Sequence, residues 1–157
     1  MRIAVLTISD AGARGERADA SGDAAAEWAA TQLVARAIVP DDTVAIAKRL
    51  LDWCDCDKAD LVITTGGTGL APRDVTPEAT LSVIERGAPG IAEHIRAVTG
   101  AGFPRAALGR GVAGVRARTL VINLPGSTNG VRESLRAIEP IIEHAVKILR
   151  GEHTDHS

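Results

Sequence analysis

A glycine-rich run is the clearest candidate for a ligand-binding loop in this sequence. Directly after the apolar run Leu61–Ile63 and Thr64 come Thr65, Gly66, Gly67, Thr68 and Gly69. Glycine lets the backbone approach a ligand closely and can aim its N–H groups at an anion, so we expect residues 65–69 to bind phosphate. The run lacks both the Lys-Ser or Lys-Thr pair of a P-loop and the spacing of a dinucleotide fingerprint. A tight turn without any ligand would use the same glycines.

Two carboxylates are expected beside this loop. Asp74 lies five residues after the last glycine, and Asp41 follows a weaker extended segment near Val34 to Val39. Two carboxylates would repel a phosphate unless a divalent cation lay between them, and Mg²⁺ commonly uses one or two carboxylates together with substrate phosphates. The pattern therefore favours phosphoryl or nucleotidyl transfer. The alternative is that Asp41 caps a helix and that Asp74 forms a turn before Thr76-Pro77.

A third segment, Asn123-Leu124-Pro125-Gly126-Ser127, follows another apolar run and precedes a predicted helix. Ser127 can cap that helix while the first helical N–H groups receive an anion. A strand-turn-helix junction without a ligand often has the same composition. On its own, this segment leaves both interpretations open.

Together these segments resemble the Mog/MoaB family of molybdenum-cofactor biosynthesis proteins, in the expected order over about residues 1–150. The resemblance rests on residues 65–69 and on four further segments: Thr7-Ile8-Ser9-Asp10, Pro40-Asp41-Asp42, Arg73-Asp74-Val75-Thr76-Pro77 and Asn123-Leu124-Pro125-Gly126-Ser127. It implies transfer of an adenylyl group from Mg-ATP to the phosphate of molybdopterin, which gives adenylylated molybdopterin and pyrophosphate. It also implies a homotrimer, with the downstream molybdate-inserting enzyme as a possible partner.

The same resemblance assigns roles to individual residues. It makes Asp41 and Asp74 catalytic and Mg²⁺-binding. It assigns substrate and nucleotide binding to Ser9, Asp10, Ser21, Thr65, Gly66, Gly67, Thr68, Gly69, Asn123, Pro125, Gly126 and Ser127. The chain departs from the family pattern at Asp23 and Thr128, where a proline is common. Arg73 could neutralise ligand charge or form a solvated salt bridge with Asp74.

The elements that must position these residues follow from apolar patterning. Ile3–Ile8, Leu61–Ile63 with two threonines, and Leu120–Leu124 lack the alternation of half-exposed strands, which suits a parallel sheet covered on both faces. We therefore predict a single-domain α/β sandwich of three layers over residues 1–150, with a disordered polar tail over 151–157. Helices are predicted over about 23–31, from Asp41 or Asp42 through Trp53, over 79–86 with Thr76 as N-cap, over 90–98, and from Ser127 to Gly151 with an interruption at Pro140.

Composition excludes several other classes of protein. The chain has 18 basic and 20 acidic residues, and its few aromatic side chains form no stacking platform, so nucleic-acid binding is not favoured. No apolar run approaches the length of about 18 residues that a membrane span requires. Two cysteines, Cys54 and Cys56, are too few and too close for a disulfide framework. We expect a cytoplasmic protein.

Two further functions compete with the adenylyltransferase. The first is a molybdopterin-binding carrier or scaffold with little or no turnover, and the presence of both Asp41 and Asp74 favours an enzyme over it. The second is the related domain of molybdate-inserting enzymes. The length of the chain and the sequence Gly-Gly-Thr-Gly in its loop argue against that domain.

Overall fold

The computed structural model describes residues 1–152, so the predicted disorder of the tail falls, for residues 153–157, outside the described residues. Six strands are present: β1 Ile3–Ile8, β2 Leu33–Val39, β3 Leu61–Thr65, β4 Arg86–Gly87, β5 Ala113–Arg116 and β6 Thr119–Leu124. Six α-helices accompany them: α1 Asp10–Ala13, α2 Ala20–Ala29, α3 Thr43–Asp55, α4 Thr76–Val83, α5 Pro89–Gly100 and α6 Thr128–Arg150. Two 3₁₀ helices cover Ala30–Gln32 and Pro104–Leu108.

The strands form one sheet in the order β2-β1-β3-β6-β5-β4. The first four are parallel, and β5 and β4 add an antiparallel edge. In register, Ile63 lies between Val5 of β1 and Ile122 of β6, so the three most buried strands end at the same edge. This arrangement confirms the predicted mostly parallel sheet and brings the segments that follow those strands together.

Two apolar cores lie on opposite faces of the sheet and make the structure three-layered. In β1, Ile3 and Val5 pack with α2, α5 and α6, whereas Ala4, Leu6 and Ile8 pack with α3 and α4. Successive side chains of a strand point to opposite faces, so a strand buried on both faces is apolar throughout. This is why β1, β3 and β6 were recognisable without alternation. No helix in the described part of the chain is both long and apolar enough to span a membrane.

Several predicted helix bounds were wrong. Helix α2 begins earlier than predicted because Asp19 caps it, accepting the Gly22 N–H at 3.0 Å. Helix α4 begins at Thr76 itself, with Val75 as N-cap, and the Thr76 hydroxyl donates to the Gly66 carbonyl instead. The same helix ends at Val83 because the chain then turns into β4, which pairs with β5.

Helix α6 runs without interruption through Pro140, contrary to the prediction. The ring removes one N–H, and Pro140 lies on the exposed side of the helix, where water can bond the carbonyl left without a partner. Gly151 ends the helix with φ +72°, as predicted. Because α6 is continuous, it connects the edge of the sheet where β6 ends with the opposite edge.

A cluster of charged side chains closes that opposite edge. Asp60 is 7% exposed and accepts from the Arg2 N–H at 2.6 Å and from Arg2 Nη2 at 2.8 Å. Arg150, near the end of α6, bonds the same carboxylate. Asp57 contacts both arginines as well, but its side chain is 55% exposed. The cluster therefore ties the beginnings of β1 and β3 to the end of α6.

We expect Asp60→Asn to lower the free energy of unfolding by about 2 kcal/mol, because two arginines lose a buried anionic partner. Asp57→Asn is the matched control, since asparagine tolerates the positive φ of 50° at that position. It should cost less than about 1 kcal/mol, as exposed ion pairs do. Urea unfolding of both variants measures the difference. Equal losses would show that burial does not decide the strength of this cluster.

Candidate functional site

Three backbones meet where the glycine run leaves β3. Gly66 has φ +94° and Gly67 has φ +67°, values that residues with side chains rarely adopt. A β-carbon on Gly66 would overlap the Ile8 carbonyl oxygen at the end of β1. A β-carbon on Gly126 would lie 3.2 Å from the Gly66 Cα. The segments after β1, β3 and β6 can therefore approach one another only because glycine stands at these positions.

Consecutive backbone N–H groups after this contact have no acceptor among residues 1–152. The Gly66 N–H donates to the Leu124 carbonyl at 3.3 Å, and the Ala71 N–H donates to Asp74. Between them, the N–H groups of residues 67–70 donate to no atom within residues 1–152. A run of free N–H groups in a turn is a common anion-binding arrangement. This geometry supports a phosphate site at residues 67–70.

Asp10 and Asp41 hold each other in place across the ends of β1 and β2. The Asp10 N–H donates to Asp41 Oδ2, and the Asp41 N–H donates to Asp10 Oδ1, each at 3.0 Å. Arg73 joins them: Nε and Nη2 donate to the Asp10 carboxylate at 2.6 and 2.9 Å, and Nη2 donates to the Asp41 carbonyl at 3.1 Å. This guanidinium holds the pKa of Asp10 below its usual range. The Arg73 salt bridge is thus with Asp10 and not with Asp74.

Asp74 is held by its own loop. Its Oδ2 accepts the Ala71 N–H at 3.0 Å, and its N–H donates to the Ala71 carbonyl at 2.9 Å. A β-carbon on Gly69 would lie 2.7 Å from the same Oδ2, so the missing side chain lets the carboxylate fold against the glycine run. Asp74 therefore forms the turn before α4 and faces the glycine run at the same time.

The two predicted catalytic carboxylates flank the glycine run. A β-carbon on Gly67 would lie 3.2 Å from Asp41 Oδ1, whereas Asp74 lies against Gly69. Burial is the main cause that raises the pKa of Asp41 above its usual range, and the charges of Asp10 and Asp74 raise it further. Within residues 1–152, Oδ1 of Asp41 and Oδ1 of Asp74 accept no hydrogen bond.

This set of oxygens fits Mg²⁺ only if a ligand completes the shell. The ion prefers oxygen ligands and commonly takes one or two carboxylates together with substrate phosphates. Across the described residues, no group of three or more His, Cys, Asp or Glu side chains could hold a metal by itself. Asp41 and Asp74 together with a phosphate on the free N–H groups would supply the required ligands.

The neighbouring residue, and not Asp41, caps the following helix. Asp42 is the N-cap of α3, and its Oδ2 accepts the Ala45 N–H at 2.8 Å. Within residues 1–152, the Asp41 carboxylate accepts only the Asp10 N–H. The interpretation of Asp41 as a helix cap was therefore wrong, because its carboxylate bonds no N–H group of α3.

Other predicted site residues have internal partners. The hydroxyl of Thr65, a fully buried residue, donates to the Ser21 hydroxyl at 2.6 Å. The Asn123 amide donates to the hydroxyls of Thr64 and Thr80 at 2.9 and 3.0 Å, and its Oδ1 accepts the Val112 N–H at 3.2 Å. Thr65, Ser21 and Asn123 therefore bond other protein groups and support the glycine run.

Two predicted serines cap helices. Ser9 accepts the Gly12 N–H at 3.0 Å as the N-cap of the short α1. Ser127 accepts the Gly130 N–H at 3.0 Å as the N-cap of α6 and remains exposed. The capping predicted for Ser127 is confirmed, and the positive end of the long α6 lies beside the glycine run.

A cleft of about 960 Å³ opens along the glycine run. One wall is the beginning of α6 with Pro125, Gly126 and Ser127, and Gly67, Thr68, Gly69 and Asp74 border it. The facing wall comes from α5 and from residues 103–109, including Phe103, which is 51% exposed. Ser9, Asp10 and Asp41 are not among the residues that line this cleft.

Sequence reasoning missed the facing wall and one residue that braces the loop. Ala92, Ile95 and Phe103 are apolar side chains of a kind that also fill ordinary cores, so their pattern gave no signal. Arg110 bonds the carbonyls of Gly69 and Asp74. The only available signal was the sequence Gly109-Arg110-Gly111, an arginine between two residues that permit close packing.

Comparison with known proteins gives consistent matches. Residues 4–144 match the protein family described as "Probable molybdopterin binding domain". A molybdopterin adenylyltransferase of Helicobacter pylori is 40% identical over 158 residues, a match that covers 98% of this chain and 90% of that protein. The molybdopterin adenylyltransferase of Escherichia coli K12 is 36% identical over 144 residues, with 88% and 74% covered.

Solved structures agree with these sequence matches. The molybdopterin biosynthesis enzyme MoaB of Thermus thermophilus superposes with a TM-score of 0.90 at 49% identity, and the match covers 96% of this chain and 97% of that one. The molybdopterin biosynthesis Mog protein of Mycobacterium ulcerans gives a TM-score of 0.87 at 35% identity, with 94% and 98% covered. Both the fold and the order of its elements are therefore shared over nearly the whole chain.

The raised pKa of Asp41 predicts how stability depends on pH. The folded protein binds this proton more tightly than the unfolded chain, so the group's contribution to stability is present at low pH and is lost as pH rises through the raised pKa. Because asparagine stays neutral, the stability of Asp41→Asn relative to the parent should increase between about pH 4 and pH 7. Urea unfolding at both pH values measures it.

Asp42→Asn is the matched control, because asparagine caps helices as well as aspartate does and the position is exposed. Its stability relative to the parent should stay nearly constant between the two pH values. If Asp41→Asn behaved in the same way, burial of the Asp41 charge would carry no cost in the folded protein.

Proposed function

The chain belongs to the family of probable molybdopterin-binding domains, and from that premise we propose that it is an enzyme of molybdenum cofactor biosynthesis, a molybdopterin adenylyltransferase. The observation that carries this function is that relatives of this name align over nearly the whole chain. The free N–H groups of residues 67–70 and the two flanking carboxylates provide the chemistry that such a transfer needs. A carrier without turnover would need the cleft but not the paired carboxylates.

In the proposed reaction, a phosphate oxygen of molybdopterin attacks the α-phosphorus of ATP. A new P–O bond forms, the bond from the α-phosphorus to the oxygen that bridges to the β-phosphorus breaks, and pyrophosphate leaves with that electron pair. The reacting groups are both anions, so the protein must hold them close and offset their charge more than it must supply a strong base. The N–H groups of residues 67–70 are fixed before substrate binds and can offset that charge without reorganising.

We assign the cleft beside the glycine run to molybdopterin. Its phosphate would bind near the beginning of α6, where Ser127 and the positive end of the helix favour an anion. The apolar wall around Phe103 and Ile95 would exclude water from the rest of the substrate. Asp74 borders this cleft and would therefore lie between molybdopterin and the nucleotide.

Asp41 and Asp74 are the residues that would hold Mg²⁺, each through the oxygen that has no partner in the protein. When bound, the ion would neutralise charge on the phosphates of ATP as the transition state forms. The protein's own contribution is to fix the two carboxylates beside the glycine run. The Asp10 N–H orients Asp41, and the Ala71 N–H orients Asp74.

We expect Asp74→Asn nearly to abolish pyrophosphate release from ATP in the presence of molybdopterin, while molybdopterin still binds. The lost charge serves the transition state, so kcat should fall much more than affinity. Coupled pyrophosphate detection measures turnover, and equilibrium binding measures affinity. Activity within about threefold of the parent, or about 0.7 kcal/mol, would remove Asp74 from the mechanism.

Asp42→Asn serves again as the control for a neighbouring carboxylate that does not face the glycine run. It should keep the parent's turnover, because its role in capping α3 is retained. A parent protein that binds molybdopterin but releases no pyrophosphate with Mg-ATP would instead favour the carrier.

We further propose that the protein acts in the cytoplasm as a homotrimer whose sites each lie within one protomer, and that it passes its product to the molybdate-inserting enzyme. The glycine run, Asp41, Asp74 and Ser127 all follow strands of one sheet, which supports complete sites in each subunit. Sedimentation equilibrium at micromolar concentration should give three times the monomer mass. A monomer under those conditions would contradict the trimer.

A further inference from the structure

We propose that Arg110 is a positioning residue that fixes the glycine run and Asp74 for adenylyl transfer. This inference rests on the proposed function. Arg110 lies between the 3₁₀ helix Pro104–Leu108 and β5, far from the glycine run in sequence. All three nitrogens of its guanidinium are bonded: Nε donates to the Gly69 carbonyl of the run at 2.8 Å, Nη2 donates to the Asp74 carbonyl at 2.6 Å, and Nη1 bonds the Glu78 carboxylate in α4.

The backbone of Arg110 also bonds the glycine run. Its N–H donates to the Thr68 carbonyl at 2.8 Å. Arg110 thus holds the glycine run at Thr68 and Gly69 and the turn at Asp74, while Leu70 and Ala71 between them are exposed. Within the described chain, Arg110 is the only outside residue whose side chain bonds residues 68–75. Within that segment, Arg73 is the only residue whose side chain bonds the rest of the protein, at Asp10 and Asp41.

Holding a carbonyl also orients the next N–H group. In a trans peptide the C=O and the following N–H point in opposite directions, and all described peptide bonds are trans. With the Gly69 carbonyl bonded to Arg110, the Leu70 N–H is directed away from the guanidinium and remains free. Arg110 therefore keeps carbonyl oxygens away from a bound phosphate and leaves N–H groups for it.

The same contact determines where the Asp74 carboxylate lies. Its carbonyl is bonded to Arg110, and its Oδ2 is bonded to the Ala71 N–H, so both ends of the residue are fixed. Glu78 pairs with Nη1 and so holds the guanidinium in the orientation in which its other two nitrogens reach the carbonyls. An arginine presents donors from three nitrogens in a rigid fork and so reaches three separated acceptors, whereas a lysine donates from a single nitrogen.

The test compares Arg110→Gln and Arg110→Lys with Arg116→Gln. Arg116 is the matched control: it is also partly buried, pairs with Asp55 at 2.8 Å and donates to the Val83 carbonyl at 2.9 Å, away from the glycine run. We expect Arg110→Gln to lower kcat at least about 10-fold, since a misplacement of about 1 Å can cost about 100-fold. Arg110→Lys should retain more activity, and Arg116→Gln should keep kcat within about twofold.

Two readouts separate positioning from a loss of stability. The KM for molybdopterin should stay within about threefold in the Arg110 variants, because the cleft walls are unchanged. Hydrogen exchange of the Ala71 and Asp74 N–H groups, which are hydrogen-bonded within the loop, should accelerate in the Arg110 variants and not in Arg116→Gln. If Arg110→Gln does not fold, Arg110→Lys carries the same comparison.

The proposal is overturned if the Arg110 variants keep the parent's kcat. It is also overturned if, at an equal loss of thermal stability, their kcat falls no further than that of Arg116→Gln. Failure of the proposed function gives a different result. In that case the parent itself releases no pyrophosphate, and accelerated exchange of the Ala71 and Asp74 N–H groups in Arg110→Gln would still show that Arg110 holds the loop.

Discussion

The close approach of three backbones at Gly66 is the constraint on which the rest of the site depends. The Ile8 carbonyl lies where a side chain on residue 66 would have to go, and a side chain on residue 126 would press against the Gly66 Cα. Only this contact lets the segments after β1, β3 and β6 converge within a few ångströms. The positive φ values at Gly66 and Gly67 then turn the chain so that the following N–H groups lose their strand partners. Anion binding is thus a consequence of how the parallel strands end.

The charges around this contact are arranged so that carboxylates can stand beside a phosphate site. Asp10 is committed to Arg73 and to the Asp41 N–H, and it acts as a support for Asp41. Asp41 and Asp74 each use one oxygen to fix their orientation and keep the other free. Two arginines hold the glycine loop from opposite sides, Arg73 through the Asp10–Asp41 pair and Arg110 through main-chain carbonyls. Both guanidinium groups bond oxygens of the protein, which leaves the site open to a cation shared with substrate.

The sequence predicted those features that follow from local patterns. Strands β1, β3 and β6 were evident because both faces are buried, and the glycine run was evident because few other functions need glycine so densely. Strand β4 could not be predicted, since Arg86 and Gly87 carry no pattern and pair only because β5 lies beside them. The roles of Asp10 and Arg110 depend on partners more than 30 residues away. Asp10 accepts from the Asp41 N–H and the Arg73 guanidinium, and Arg110 donates to backbone carbonyls that the sequence does not mark. Asp41 and Asp42 were indistinguishable as caps until the direction of each side chain was known.

Helix α6 shows how the fold separates stability from chemistry. Its first residue follows Ser127 at the cleft, and Arg150 at its other end joins the buried Asp60 cluster across the sheet. A continuous helix of 23 residues is about 34 Å long, so the two ends sit on opposite edges of the sheet. The cleft end exposes free N–H groups and partly buried carboxylates, which disfavour the folded state, whereas the far end pairs its charges with one another. The Asp60 cluster therefore lies where no ligand needs access, whereas the oxygens of Asp41 and Asp74 without a partner in residues 1–152 lie at the edge where a substrate can supply one.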